Sequence, residues 1–194
     1  MVVIGMIVVH PYDESTRMLA KIYEGIEGVK LFDSWKQRSD ILAAIAAAPK
    51  DEPILLLGHG SPWGLYDMRH GLIINDYDAR LLKDRPNLVG IWCYASDYAF
   101  KHGLKGFFSG MFISEPREAV VNDVEATDEE IAFVADDFSV RFGAAMREGK
   151  PLAEIAAELM DPSFINSDLT EFNYSRLTWR PTGREPVPFM INGV

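Results

Sequence analysis

The chain has 194 residues, 19 of them basic and 29 acidic, for a formal charge of −10. That length fits one domain with at most an appendage, and 48% hydrophobic against 25% charged residues excludes global disorder. The acidity argues against a basic nucleic-acid footprint, and the single cysteine, Cys93, excludes an intrachain disulfide and a Cys-rich zinc site. One unpaired thiol is compatible with a reducing, cytoplasmic setting.

Val2 to Val9 is an apolar, β-branched run that suits a strand covered on both faces. It is too short to span a bilayer and lacks the basic start and small-residue cleavage site of a signal peptide, so no membrane association is expected. Met18, Leu19, Ile22, Tyr23 and Ile26 fall at helical spacing, with Asp13 or Ser15 as cap and Gly28 past the end. Val29 to Phe32 is a second strand. Asp33-Ser34 opens a helix through Ile45 that stops before Pro49. Pro53 to Leu57 is a third strand, running into Gly58-His59-Gly60-Ser61, and Ser61 to Gly71 reads as a loop.

Asn75 or Asp76 caps a short helix to Leu82, and Leu88 to Trp92 is a fourth strand ending at Cys93. Ser96 to His102 is a short helix closed by Gly103. Gly106 to Phe108 and Met111 to Ile113 supply a fifth strand with a break at Ser109-Gly110. Thr127 to Met146 is a long helix opened by a capping box, and a last helix runs from Pro151 to Pro162. The tail, 167–194, is expected as an extension packed on the domain formed by 1–166, with short strands near Arg176 to Trp179 and Val187 to Ile191. This β-α alternation predicts a three-layer α/β/α sandwich with a mostly parallel sheet. Catalytic groups of such sheets gather at the carboxyl ends of the strands.

Two chemistry-bearing residues stand at such ends, His59 and Cys93. A Cys–His pair is the minimum for thiol nucleophilic catalysis, because the thiolate attacks and the imidazole takes its proton. Glycines on both sides of His59 let backbone approach a substrate, and the Gly60 and Cys93 N–H groups are candidate oxyanion donors. Taken singly, a cysteine at a buried strand end is more often a packed small hydrophobe, and a histidine between glycines is as readily structural.

Leu55-Leu56-Leu57-Gly58-His59-Gly60 followed by Leu88-Val89-Gly90-Ile91-Trp92-Cys93 resembles the His-Gly and Cys strand ends of caspase-like (clan CD) cysteine peptidases. Gly106 to Glu115 is similar to the next core strand of bacterial CHAT-type domains, and Phe138 to Ala156 to their late helix, Gly-Lys-Pro turn and final helix. The resemblance spans roughly Val2 to Asp161. It implies a cysteine endopeptidase acting on peptide or protein substrates without a cofactor, with Cys93 as nucleophile, His59 as general base and acid, and Gly60 at the oxyanion. Clan members cut after a side chain chosen by a charged pocket, and Asp97 and Glu115 are the candidate acids for it. Either is equally read as a helix-start or loop carboxylate. Arg69 and His70 would instead suit an acidic substrate.

The chain departs from the family pattern at Ile91, where metacaspases carry an acid, and at bulky Trp92, where many relatives have a small residue. These departures motivate a second expectation, a catalytically inactive caspase-like binding or regulatory module. Relatives are often governed by neighbouring proteins, so a regulatory protein acting in trans is expected. A third reading, a chelatase-like metal protein, rests on Gly58-His59-Gly60-Ser61 alone and lacks a second ligand, so no metal site is assigned. Ser61 lacks the nucleophile-elbow pattern, and no dinucleotide-binding glycine motif follows the first strand.

Overall fold

The structure, a computed structural model, describes residues 5–181 except Tyr12, Met68, His70 and the side chain of Trp35. The chain order is β1 Met6–Val9, a 3-10 segment Arg17–Ile22, β2 Val29–Phe32, α1 Arg38–Ala47, β3 Ile54–Leu57, β4 His59–Ser61, β5 Gly64–Asp67 and β6 Gly71–Ile74. There follow α2 Ala79–Leu82, β7 Leu88–Ile91, α3 Ala95–His102, β8 Gly106–Ser109, α4 Pro116–Val121, α5 Asp128–Arg147, α6 Leu152–Leu159, α7 Asp168–Tyr174 and β9 Leu177–Arg180.

The fold is mixed α/β around a six-stranded sheet in the order β2-β1-β3-β7-β8-β9. All neighbours are parallel except β8–β9. Strands β1, β3, β7 and β8 are buried at every residue, which is why their sequences read as near-continuous apolar runs, broken only by the buried Ser109, rather than alternating ones. Their alternate side chains enter two separate apolar clusters. Met6, Val8, Leu55, Leu57, Val89 and Ile91 pack with residues of α5 and α6, and Ile7, Val9, Ile54, Leu56 and Leu88 pack with residues of α1 and α3. Long helix α5 starts on a capping box, with Glu130 N–H donating to Thr127 Oγ1 and Thr127 N–H donating to Glu130 Oε2. Its Phe138 and Phe142 are fully buried, and Phe142 meets Phe107 of β8 edge to face at 5.6 Å.

Several expectations are corrected. The stretch after His59 is not a loop but a small antiparallel sheet, β4-β5-β6, in which Leu65, Ile73 and Ile74 are buried. Its Pro and Gly residues mark hairpin turns, and Gly64, at φ +135°, lies where a Cβ would stand 1.9 Å from the Ile74 carbonyl. The first helix is a 3-10 turn capped at Thr16, not an α-helix starting from Asp13 or Ser15 and running to Ile26. Only Gly106–Ser109 is strand. Beyond it Gly110 N–H donates to Arg176 O and Ile113 N–H to Asn173 Oδ1, so the chain turns to meet α7 and β9 instead of continuing the sheet. Helices α4 and α7 are additional. The tail returns as β9 beside β8, while the strand expected at Val187 to Ile191 and residues Val2 to Ile4 of the first strand lie outside the described residues.

Candidate active site

Four neighbouring parallel strands, β1, β3, β7 and β8, end on one edge of the sheet. Leu57 is in register with Ile91, so the residues just past them, His59 and Cys93, emerge side by side. Both line one cleft, together with Thr16, Leu19, Ser109, Phe112, Ser114 and Glu118. Its volume is about 30 Å³, enough for a water molecule and too small for a peptide side chain without opening.

Cys93 sits at a sharp strand-to-helix turn. The next residue, Tyr94, has φ +69° and ψ +26°, the left-handed region that a bulky side chain rarely takes. The turn is fixed by Tyr94 N–H donating to Gly110 O and by Ser109 Oγ, which donates to Trp92 O and accepts from Trp92 N–H. The thiol donates weakly toward Phe112 O at 3.9 Å and Glu118 Oε1 at 3.8 Å. Burial first, and the Glu118 charge second, push the Cys93 pKa up to about 12, so the thiol is neutral near pH 7. Glu118 is held there by its other oxygen, which accepts from Ser114 N–H at 2.8 Å and Glu115 N–H at 3.2 Å.

His59 opens β4, with its side chain mostly covered. Its Nε2 lies 3.1 and 3.2 Å from the two Asp13 carboxylate oxygens and 2.9 Å from Ser15 Oγ. Burial raises the Asp13 pKa, but the Ser15 bond, the His59 charge and the Thr16 backbone more than offset it, leaving Asp13 below the usual carboxylate range. In this state the imidazole and the thiol face one cleft with different hydrogen-bond partners, and no hydrogen bond joins them.

Gly60 does not line the cleft. Its Cα packs against Trp92, where a Cβ would stand 2.0 Å from Cδ1, and Trp92 Nε1 donates to Ser61 O. Asp97 is exposed in the first turn of α3, and Glu115 is the N-cap of α4; neither lines the cleft. Arg69 is exposed, and His70 lies outside the described residues. Two carboxylates that sequence reasoning passed over are the ones at the site, Asp13 and Glu118. Pro116 at the first helical position between Glu115 and Glu118 is a helix-start signal that pointed to α4. No comparable signal marks Asp13, which reaches His59 only because β1 and β3 are neighbours.

Among the described residues no group of three or more His, Cys, Asp or Glu side chains could hold a metal ion, and no helix is long and apolar enough to cross a membrane. No protein-family model matches the chain, and no curated protein matches it.

Proposed function

We propose that this chain is a caspase-like cysteine peptidase of three-layer α/β/α build, with Cys93 as nucleophile and His59 as general base and acid. The observation that supports it is the shared cleft at the carboxyl ends of β3 and β7. Because the thiol is neutral, the chemistry starts by general-base transfer rather than from a standing thiolate. The Cys93 proton passes to the imidazole as Sγ bonds to the scissile carbonyl carbon. The tetrahedral adduct collapses, the C–N bond breaks, and the amine leaves with the proton from His59. Water then attacks the thioester, giving a proton to His59, and the acid is released with the thiol restored. The Cys93 N–H is the first oxyanion donor, and Gly60, which packs against Trp92 outside the cleft, is the second only if substrate binding turns its N–H inward. Asp97 and Glu115 fill the substrate-pocket role only if substrate binding draws them in, since Glu118 is the acid already beside the thiol.

A second reading, an inactive binding or regulatory module, is favoured by the water-sized cleft and the neutral thiol. One experiment separates the two. Iodoacetamide alkylation of Cys93 is followed against pH in wild type and His59→Ala, and peptides with Arg, Lys or Asp before the scissile bond are screened with Cys93→Ala as control. The peptidase reading expects slower alkylation in His59→Ala and peptide turnover that Cys93→Ala abolishes. Identical alkylation in both proteins, with no turnover, leaves the module reading, unless a trans-acting partner restores the coupling.

A further inference from the structure

The end of β1 supplies a third group to the pair. The Asp13 carboxylate can only accept, and the Ser15 hydroxyl already gives its proton to Asp13 Oδ1 at 2.8 Å. Both partners of His59 Nε2 therefore present acceptors, so Nε2 carries the ring proton and Nδ1 is the basic nitrogen. Among the described residues Nδ1 makes no hydrogen bond, and it is the atom left to take the Cys93 proton.

The loop that carries Asp13 is itself latched. Thr16 N–H and Ser15 N–H donate to Asp13 Oδ1 at 3.3 and 3.1 Å. Thr16 O in turn lies 3.2 Å from Nε2 of His10, which directly follows β1 and is fully buried. A carbonyl only accepts, so His10 Nε2 carries its proton and Nδ1 accepts from the Tyr23 hydroxyl at 3.0 Å. We propose that Asp13 is a positioning residue that holds His59 in the Nε2–H form with Nδ1 free for Cys93, and that the buried Tyr23–His10–Thr16 chain fixes Asp13 in place. This rests on the peptidase reading for its purpose, though not for its test.

The test is proton NMR of the whole ¹⁵N-labelled chain, reading the imidazole N–H of His59 and its exchange with water. Wild type should show a downfield, slowly exchanging N–H on Nε2. Asp13→Ala should speed that exchange by about 10-fold or more, as for a hydrogen bond opened to solvent. Asp13→Asn, which keeps an acceptor oxygen, should restore most of the protection. Tyr23→Phe, gentler than replacing buried His10, should speed exchange several-fold with the fold intact by circular dichroism. A wild-type proton on Nδ1, no protected N–H at all, or exchange unmoved by Asp13→Ala overturns the role of Asp13. Exchange unmoved by Tyr23→Phe in a folded protein overturns the latch. A peptidase reading that fails by alkylation and turnover leaves these results unaffected, so the two failures are told apart.

Discussion

The two walls of the cleft each place a carboxylate against the reactive side chain, with opposite effects. On the His59 wall, the Asp13 carboxylate, which can only accept, lies against Nε2 of the imidazole and favours a proton on that nitrogen. On the Cys93 wall, Glu118 approaches the thiol, where its negative charge opposes the thiolate and reinforces the cost of burial. A carboxylate therefore assists or restrains according to whether its neighbour works by holding a proton or by losing one. The imidazole is oriented and the thiol is held neutral.

The largest expected effect tests the His59 wall through its foundation. Burial pushes the His10 pKa down to about 4, from an unfolded value near 6.5, against a smaller opposing pull from the Thr16 carbonyl and Asp13. The unfolded chain thus binds a proton that the folded chain refuses. Stability from the neutral ring is complete above pH ~6.5 and is lost as pH falls from there to about 4, by about 3 kcal/mol in all. Urea unfolding at pH 7, 5.5 and 4 should show that loss in wild type and not in His10→Gln. Equal slopes in the two proteins would mean that His10 is not the group that charges on unfolding.

Next in size is the inertness of the thiol. With its pKa at about 12 instead of the ~8.5 of a free cysteine, the thiolate fraction at pH 7 drops by about 3 × 10³-fold, and higher intrinsic nucleophilicity returns about 30-fold. Alkylation should run about 10²-fold slower than for a cysteine peptide and keep rising beyond pH 9 instead of levelling there. A plateau near pH 8.5 would show that the Cys93 wall is not restraining at all. Glu118→Gln then sharpens the contrast. Glutamine serves the third position of a capping box as well as glutamate does, so α4 should keep its start while the charge beside Sγ is removed. Faster alkylation at pH 8 is expected, by about 3-fold for each unit by which the pKa falls, since the extra thiolate is also a weaker nucleophile. An unchanged rate would assign the whole restraint to burial.

What the sequence made legible follows from the same contrast. The buried parallel strands wrote themselves as apolar runs, so β1, β3 and β7 and the His59 and Cys93 strand ends could be read directly. The hairpin sheet could not, because Pro62, Gly64 and Gly71 signal turns equally in loops and in hairpins. Asp13 and Glu118 reach the cleft through adjacency of β1 to β3 and through the path of the chain after β8, which are tertiary facts with no one-dimensional period. Asp97 looked nearer to the chemistry only because it follows Cys93 closely along the chain, and Glu115 because it follows the next strand of the sheet. Thr16, by contrast, has its role through its backbone carbonyl, which no side-chain pattern can announce.

The smallest expected effect concerns the acid that sequence proximity favoured. Asp97 lies only four residues past Cys93, but it is exposed in the first turn of α3 and does not line the cleft. Its charge acts on the thiol through water and counterions, which screen it far more than the partly buried Glu118 at 3.8 Å from Sγ. Asp97→Asn should therefore change Cys93 alkylation by less than about 2-fold at any pH, while weakening the favourable charge at the α3 N-terminus by about 0.3–1 kcal/mol. The informative comparison is with Glu118→Gln in the same buffer, first at low and then at high salt. A Glu118 effect that survives added salt beside a negligible Asp97 effect places the restraint inside the cleft. An Asp97 effect as large as that of Glu118 would mean that the thiol senses the field of the α3 surface, and the contrast between the two walls would have to be redrawn around α3 in place of α4.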